Sequence, residues 1–316
     1  MDGGSSFRSK YERRVLPYYL GGRFAEFSGI GGLKIRFVAF EKKRSAGALV
    51  ILPGKSETYM KYAELLYDLR ELPLDLYAVD HRGMGFSQRT LPDRLKIHVE
   101  RFDHYIGDLR IFLDNVVGTG QHGHLLVLGH STGALVAVLY MQRHPETFGA
   151  GVLCSPFFAL EVGPLPGFVI RALARLLDRP GRGERYGPGQ RDIKRPDFQS
   201  NTITHSHERW SLWEQEIIPN NEAIRFAGIT NHWLRESLIA GHRAIRDAAK
   251  IDVPLLLLQA EEDGVVGLDA QERFCRRAPR CDKVRIPGAR HEILIEEEEI
   301  RAEAIGRIKN FLIGQL

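Results

Sequence analysis

The sequence predicts an α/β protein: a mostly parallel sheet flanked by helices, with a helical cap inserted after the sixth strand. Short continuous apolar runs alternate with segments of helical period along most of the chain. That is the pattern of parallel strands buried on both faces and joined by crossover helices. The alternation breaks from Phe157 to about Lys250, in a stretch rich in Arg, Pro and Trp with helical rather than strand periodicity, and then resumes.

Each element follows from its local pattern. The segment up to about Arg14 is polar and charged and is expected to be a loose tail. Apolar and polar residues alternate from Leu33, and Gly47–Leu52 is an apolar run suited to a buried strand. Tyr59–Leu72 carries Tyr62, Leu65, Leu66 and Leu69 at helical spacing, and Leu74–Val79 is the next strand. Ile106–Val117 reads as a helix with Leu109, Leu113 and Val116 on one side. Leu125–Leu128 is a strand, Thr132–Arg143 a helix and Gly149–Leu153 a strand. After the break come strand Val253–Gln259, helix Gln271–Arg276, strand Lys283–Ile286 and the closing amphipathic helix Glu299–Leu312. The expected domains are a core of residues 1–156 and 251–316 and a cap of residues 157–250.

Composition narrows the function. A chain of 316 residues, 43% apolar and 27% charged, is ordinary for a soluble protein with a large core. The net charge of +4 is a mild excess, with neither zinc-finger spacing nor a strongly basic helix, so nucleic acid is not an expected partner. The N-terminal stretch has no signal-like apolar segment, and no apolar run approaches the ~20 residues of a spanning helix. A cytoplasmic protein is expected, with peripheral contact at the inner membrane left open. Cys154, Cys275 and Cys281 have neither CxxC nor framework spacing and read as reduced thiols. Cys154, inside an apolar run, reads as a small core residue.

The chemistry centres on Gly129-His130-Ser131-Thr132-Gly133, a GxSxG string. Chance gives such a string in roughly one chain of this length in five to ten, so context must carry it. A strand enters it and a helix leaves it, which is the strand–turn–helix of a nucleophile elbow. The competing reading makes Ser131 only a helix N-cap. A hydroxyl needs a base, and this architecture supplies its partners in the order Ser, acid, His. Asp263 follows the strand ending at Gln259, and His291 follows the strand ending at Ile286. Both fall at carboxyl ends of strands, where open α/β sheets build their sites. Glu261, Glu262 and Asp269 compete locally with Asp263, which is preferred because Gly264 permits a sharp turn and Val265-Val266 can anchor the loop. Two backbone N–H groups are expected to hold an oxyanion: Thr132, after the nucleophile, and Lys55, in Pro53-Gly54-Lys55-Ser56-Glu57. No cofactor or metal is called for. Gly118-Thr119-Gly120-Gln121-His122-Gly123 matches GxGxxG but follows a helix and precedes a strand, the reverse of a dinucleotide site, and reads as a turn.

Through these residues the chain resembles the lysophospholipase and monoacylglycerol-lipase (serine aminopeptidase-type) branch of the α/β hydrolases, and in most detail the bacterial lysophospholipases. The resemblance spans roughly Gly21 to Phe311. It includes Pro53-Gly54-Lys55-Ser56-Glu57, Lys61-Tyr62-Ala63-Glu64-Leu65 and Asp80-His81-Arg82-Gly83-Met84-Gly85-Phe86-Ser87. Inside the presumed cap it includes Thr204-His205-Ser206-His207 and His232-Trp233-Leu234-Arg235-Glu236-Ser237, and it ends with Gln259-Ala260-Glu261-Glu262 and His291-Glu292-Ile293-Leu294. It implies the α/β-hydrolase fold, with Ser131 as nucleophile, Asp263 as acid and His291 as base. Pro53-Gly54 departs from the His-Gly that monoglyceride lipases usually carry there, and some relatives have Glu in place of Asp263. The resemblance makes Asp80-His81-Arg82-Gly83 architectural. His205 and His207 lack a third ligand at recognisable spacing and read as hydrogen-bonding residues of the cap.

All three tryptophans (Trp210, Trp213 and Trp233) fall in the presumed cap. So does Phe168–Leu177, with Val169, Ala172, Leu173, Leu176 and Leu177 on one helical face and Arg171, Arg175 and Arg179 elsewhere. Packing of that face over the core is the preferred expectation, and seating at an anionic membrane surface is the other. The expected reaction is ester hydrolysis of a lysophospholipid or related monoacyl lipid through an acyl-enzyme. A general carboxylesterase, monoacylglycerol lipase or peptidase is the near alternative. A non-catalytic binding protein is the distant one, and it would predict a broken triad.

Overall fold

A computed structural model describes residues 7–118, 122–161, 167–190 and 197–316. The core is a sheet whose strands are β1 (Arg23–Ser28), β2 (Lys34–Phe40), β3 (Gly47–Leu52), β4 (Leu74–Val79), β5 (His124–His130), β6 (Ala150–Cys154), β7 (Leu255–Ala260) and β8 (Cys281–Ile286). Their order is β1-β2-β4-β3-β5-β6-β7-β8. β2 runs antiparallel to β1 and β4, and every pairing from β4 to β8 is parallel. The strands read as apolar runs because both faces are covered. Within β3, Ala48, Val50 and Leu52 enter one buried cluster, and Leu49 and Ile51 enter the other. Helices Asp103–Phe112 and Thr132–Arg143 cover the first face, and helices Ala63–Leu69 and Glu298–Ile313 the second.

Register fixes where the strand ends meet. Leu52 of β3 lies opposite Gly129 of β5, and His130 lies opposite Cys154 of β6. Ile286 of β8 pairs with Ala260 of β7. The loops after β3, β5, β7 and β8 therefore emerge together at the carboxyl edge of the sheet.

Between β6 and β7 the described elements are mainly helical: Gly167–Leu177, His207–Ser211 continuing as a wider turn through Leu212–Ile217, and Asn231–Arg246. The last is capped by Thr230, whose Oγ1 accepts the Trp233 N–H at 3.1 Å. A short parallel pair, Lys96–Ile97 with Gly228–Ile229, joins this insertion to the loop after β4. No helix of the described residues is long and apolar enough to cross a membrane.

Three expectations are corrected. The loose tail to about Arg14 is instead ordered from Phe7, with helical turns running to Leu20. Tyr11, Val15 and Tyr19 fall at spacing of four and bury one stripe in the core, and Arg8 pairs with Glu216. The charges seen in the sequence are the solvent face of that helix. The cysteines are not all reduced thiols, because Cys275 and Cys281 form a disulfide. Helix Leu268–Cys275 ends where β8 begins its return, which brings the two Cα atoms to 5.3 Å, within bridging range. Cysteine usage thus gives no argument for a reducing compartment. Cys154 is buried and free, and burial pushes its thiol up to about 12.

Helix Gly167–Leu177 also sits differently from its preferred expectation. It packs through Ala174 and Ile170, which are four residues apart, against helix Asn231–Arg246. Phe168, Leu173 and Leu176 are left 66%, 49% and 46% exposed. The apolar face is wider than the ridge that its neighbour can cover.

The insertion and the core are also joined by a buried ion cluster. Arg209 meets both oxygens of Glu64 at 2.8 and 2.9 Å, and Arg301 reaches Glu64 at 3.5 Å. Burial opposes charge on Glu64, but Arg209 and Arg301 outweigh it and hold its pKa at about 2, below the ordinary 4.5. A folded-state pKa depressed below the unfolded value contributes stability that is complete above pH ~4.5 and drains as pH falls toward 2. Urea midpoints should therefore fall between pH 5 and pH 2.5. Glu64→Gln should flatten that slope while costing ~1.5–3 kcal/mol at neutral pH, because Arg209 and Arg301 lose the carboxylate they share but keep Glu298 and Asp68.

Candidate active site

The turn Gly129–Gly133 shows why its residue types are needed. Ser131 links β5 to helix Thr132–Arg143 with φ +50 and ψ −113, a conformation that side chains rarely adopt. Its N–H donates to the Cys154 carbonyl at 3.0 Å. A Cβ on Gly129 would lie 2.5 Å from the Ala134 backbone, and one on Gly133 would lie 2.0 Å from the Leu52 carbonyl oxygen. Glycine at both positions is thus a steric requirement.

The structure brings Ser131, His291 and Asp263 into one hydrogen-bonded chain. Ser131 Oγ lies 3.1 Å from His291 Nε2, and His291 Nδ1 lies 2.8 Å from Asp263 Oδ2. All three side chains are buried. Asp263 Oδ1 accepts the N–H groups of Val265 and Val266 at 2.9 and 3.1 Å. Burial opposes charge on Asp263, yet the hydrogen bond and charge of His291, with those two amides, hold its carboxyl below the usual range. An imidazole oriented this way presents Nε2 to take a proton from the hydroxyl. The competing carboxylates go elsewhere. Glu261 accepts the Gly288 N–H, Glu262 faces His205, and Asp269 lies in the first turn of helix Leu268–Cys275. Gly264 has ordinary φ and open space, so the turn does not require glycine, and the two valine amides fix the loop.

Lys55 and Thr132 line the same cavity as Ser131 and His291. Thr132 is the first residue of its helix, where backbone N–H groups have no intrahelical acceptor. The Lys55 loop turns through Ser56 at φ +63.

A buried network that sequence reasoning missed holds this loop. Glu57 accepts from the Gly54 N–H, from Tyr62 Oη at 2.6 Å and from Lys61 Nζ at 3.2 Å. His130 places Nδ1 3.2 Å from Glu57 and Nε2 3.2 Å from the His291 carbonyl oxygen. Both ring nitrogens thus face acceptors, which favours the doubly protonated ring. Burial opposes that charge, but Glu57 prevails and raises the His130 pKa above the ordinary value. Burial likewise opposes charge on Glu57, and Lys61 and His130 hold it well below the carboxylate range. Lys61 also meets Glu292 at 2.5 Å. The buried network thus ties the loop after β3 to the residue following His291. The one sequence signal was that Glu57, Lys61 and Glu292 fall within the strings that carry the family resemblance.

Asp80-His81-Arg82 braces the same loop from behind. Asp80 accepts from Tyr59 N–H and Phe86 N–H, each at 2.6 Å, and from Thr58 Oγ1 at 3.0 Å. Burial pushes its carboxyl up to about 7 against the pull of those donors. His81 Nε2 donates to the Pro53 carbonyl at 2.9 Å, and burial lowers its pKa to about 4. Arg82 grips Asp108 with two contacts of 2.6 Å. His205 lies 3.3 Å from both Glu262 and Glu296, bridging the insertion to the core loops. Gly118 closes its helix at φ +72 and β5 begins at His124, and residues 119–121 of the rejected GxGxxG string lie outside the described residues.

Above Ser131 lies a cavity of about 360 Å³, within the range of small-ligand sites. Phe157, Leu160, Trp213, Ile224, Ile229 and Trp233 give it a largely apolar wall. Trp233 is fixed by an Nε1 hydrogen bond to Tyr105 at 3.0 Å, whereas Trp210 packs on Phe198 away from the cavity lining.

Residues 43–298 match the family described as serine aminopeptidase, S33. The chain belongs to this S33 hydrolase family. It is 36% identical over 295 residues to lysophospholipase L2 of Escherichia coli K12, covering 91% of this chain and 86% of that protein. Among solved structures, a soluble variant of monoglyceride lipase from Saccharomyces cerevisiae superposes with a TM-score of 0.74 at 18% identity, covering 93% of this chain and 95% of the other. A carboxyl esterase from Bacillus coagulans gives a TM-score of 0.76 at 16% identity, with 93% and 98% covered. This S33 chain therefore has the α/β-hydrolase fold that the sequence predicted.

Gly133→Ala tests the packing of the turn. The added methyl would meet backbone carbonyls, which cannot swing aside as a side chain would. A loss of ~2–3 kcal/mol by chemical denaturation is expected, against a smaller loss for an Ala substitution at Gly264.

Proposed function

We propose that the chain is a serine hydrolase that cleaves the carboxylic ester of lysophospholipids or related monoacyl lipids. The observation that carries this reading is the Ser131–His291–Asp263 hydrogen-bonded chain, with contacts of 3.1 and 2.8 Å, at the floor of a largely apolar cavity. The names of the relatives, lysophospholipase L2 and monoglyceride lipase, support the substrate class.

In this mechanism Ser131 Oγ attacks the ester carbonyl carbon while its proton passes to His291 Nε2. The N–H groups of Thr132 and Lys55 take the oxyanion. The C–O bond to glycerol breaks, and His291 returns the proton to the leaving oxygen. A water molecule, deprotonated by the same imidazole, then hydrolyses the acyl-serine, and the fatty acid leaves. Asp263 holds the imidazole tautomer and stabilises its charged form. Residues 157–250 act as the cap that encloses the acyl chain, with Trp213 and Trp233 as its apolar wall.

Ser131→Ala should abolish ester turnover in a protein with an unchanged melting temperature, and Asp263→Asn should lower kcat ~10⁴-fold. Equal turnover by folded Ser131→Ala would remove Ser131 from the chemistry. Purified enzyme should hydrolyse lysophosphatidylethanolamine and monoacylglycerol faster than a short-chain ester. The reverse order would favour the general-esterase reading.

The cap also offers a membrane contact. Phe168, Leu173 and Leu176 are exposed on one helix, beside the exposed Arg175 and Arg179. An amphipathic basic helix of this kind binds anionic surfaces through apolar area and charge. Co-sedimentation with phosphatidylglycerol vesicles should fall several-fold in Leu173→Ser/Leu176→Ser, with turnover of a soluble ester retained. Unchanged co-sedimentation would remove this helix from the contact.

A further inference from the structure

The cavity wall carries two charges that the ester chemistry does not use. Lys55, Glu57, Lys61, Glu214 and Glu292 all line it. Three of them pair with one another, since Lys61 Nζ lies 3.2 Å from Glu57 and 2.5 Å from Glu292. Lys55 and Glu214 differ. Among the described residues neither forms an ion pair, and the Lys55 ammonium meets just the neighbouring Ser56 hydroxyl at 3.3 Å. Burial pushes the Lys55 ammonium down and the Glu214 carboxyl up, the mark of charges in a poorly hydrated wall without a sufficient counter-charge. Charges so placed cost stability unless a ligand supplies their partners.

Their placement matches one ligand chemistry. Lys55 extends from the loop after β3, whose backbone would hold the ester oxyanion, so its side chain reaches only a few atoms beyond the reacting carbonyl. In a lysophospholipid just the glycerol unit separates ester from phosphate. Glu214 belongs to the turn Leu212–Ile217 of the insertion and lines the same cavity. We propose that Lys55 and Glu214 form a head-group subsite for a zwitterionic lysophospholipid, the ammonium taking the phosphate and the carboxylate taking the cationic nitrogen. The assignment rests on the ester-hydrolase reading above and specifies its substrate. A neutral monoacylglycerol offers neither charge. Because the two residues lie on core and insertion, a bound head group bridges them.

The test compares lysophosphatidylethanolamine, lysophosphatidylglycerol and monoacylglycerol of one acyl chain, read as ratios of kcat/KM within each enzyme so that general losses cancel. Lys55→Met should lower the lysophospholipid-to-monoacylglycerol ratio ~10–100-fold, the range of a charge-assisted hydrogen bond, and Lys55→Arg should restore most of it. Glu214→Gln should lower the ethanolamine-to-glycerol head-group ratio ~10-fold. Ratios unmoved by both Lys55→Met and Glu214→Gln would overturn the subsite. Wild-type enzyme that hydrolyses monoacylglycerol but no lysophospholipid would overturn the subsite and leave the ester-hydrolase reading standing. Wild-type enzyme inert to every ester would overturn that reading itself.

Discussion

Everything at the carboxyl edge of the sheet depends on how closely β3 and β5 approach there. Leu52 lies opposite Gly129, and the backbone of Gly133 comes so near the Leu52 and Pro53 carbonyls that no Cβ fits. That contact sets the Ser131 turn against the loop carrying Lys55. It also forces Ser131 into its strained backbone conformation, a cost that helix and strand packing on both sides must offset. Loosening it by even one methyl would separate the hydroxyl from the loop that faces it.

Electrostatics then makes the arrangement rigid. Glu57, Lys61, Glu292 and His130 are buried charges that would each be costly alone. Linked, they tie the loop after β3 to the loop after β8, and His130 reaches the backbone of His291 itself. Behind them Asp80 and His81 hold Thr58, Tyr59 and Pro53 by hydrogen bonds. The imidazole and the loop after β3 are therefore held by one polar network, so positioning at one end is coupled to charge at the other.

The central strands β3 to β7 were legible because burial on both faces leaves continuous apolar runs, whereas the half-exposed edge strand β1 was not read, and helix Thr132–Arg143 was read at its true bounds. The Ser131, Asp263 and His291 positions were legible because chain order and strand ends constrain them. The N-terminal helix was not. Its stripe of Tyr11, Val15 and Tyr19 is interleaved with charges that lie on the opposite face. The Cys275–Cys281 disulfide was not legible either, since six residues of separation say nothing of whether a helix end and a strand start will adjoin. Helix Gly167–Leu177 was legible as amphipathic, but Ala174 and Ile170, outside the expected face, are what pack, while Leu173 and Leu176 stay exposed, because the neighbouring helix decides which side is covered.

By itself the sequence determined the fold class, the strand–turn–helix around Ser131 and the identity of its candidate partners, because periodicity, glycine and order along the chain are local or one-dimensional properties. Tertiary structure brings Asp263 to His291 and turns Glu261 and Glu262 to other partners. It alone paired Glu57 with His130 and left Lys55 and Glu214 facing the cavity without ion-pair partners among the described residues. The reason is physical: which charges neutralise one another depends on contacts of about 3 Å between residues far apart in the chain, and no local pattern encodes those distances.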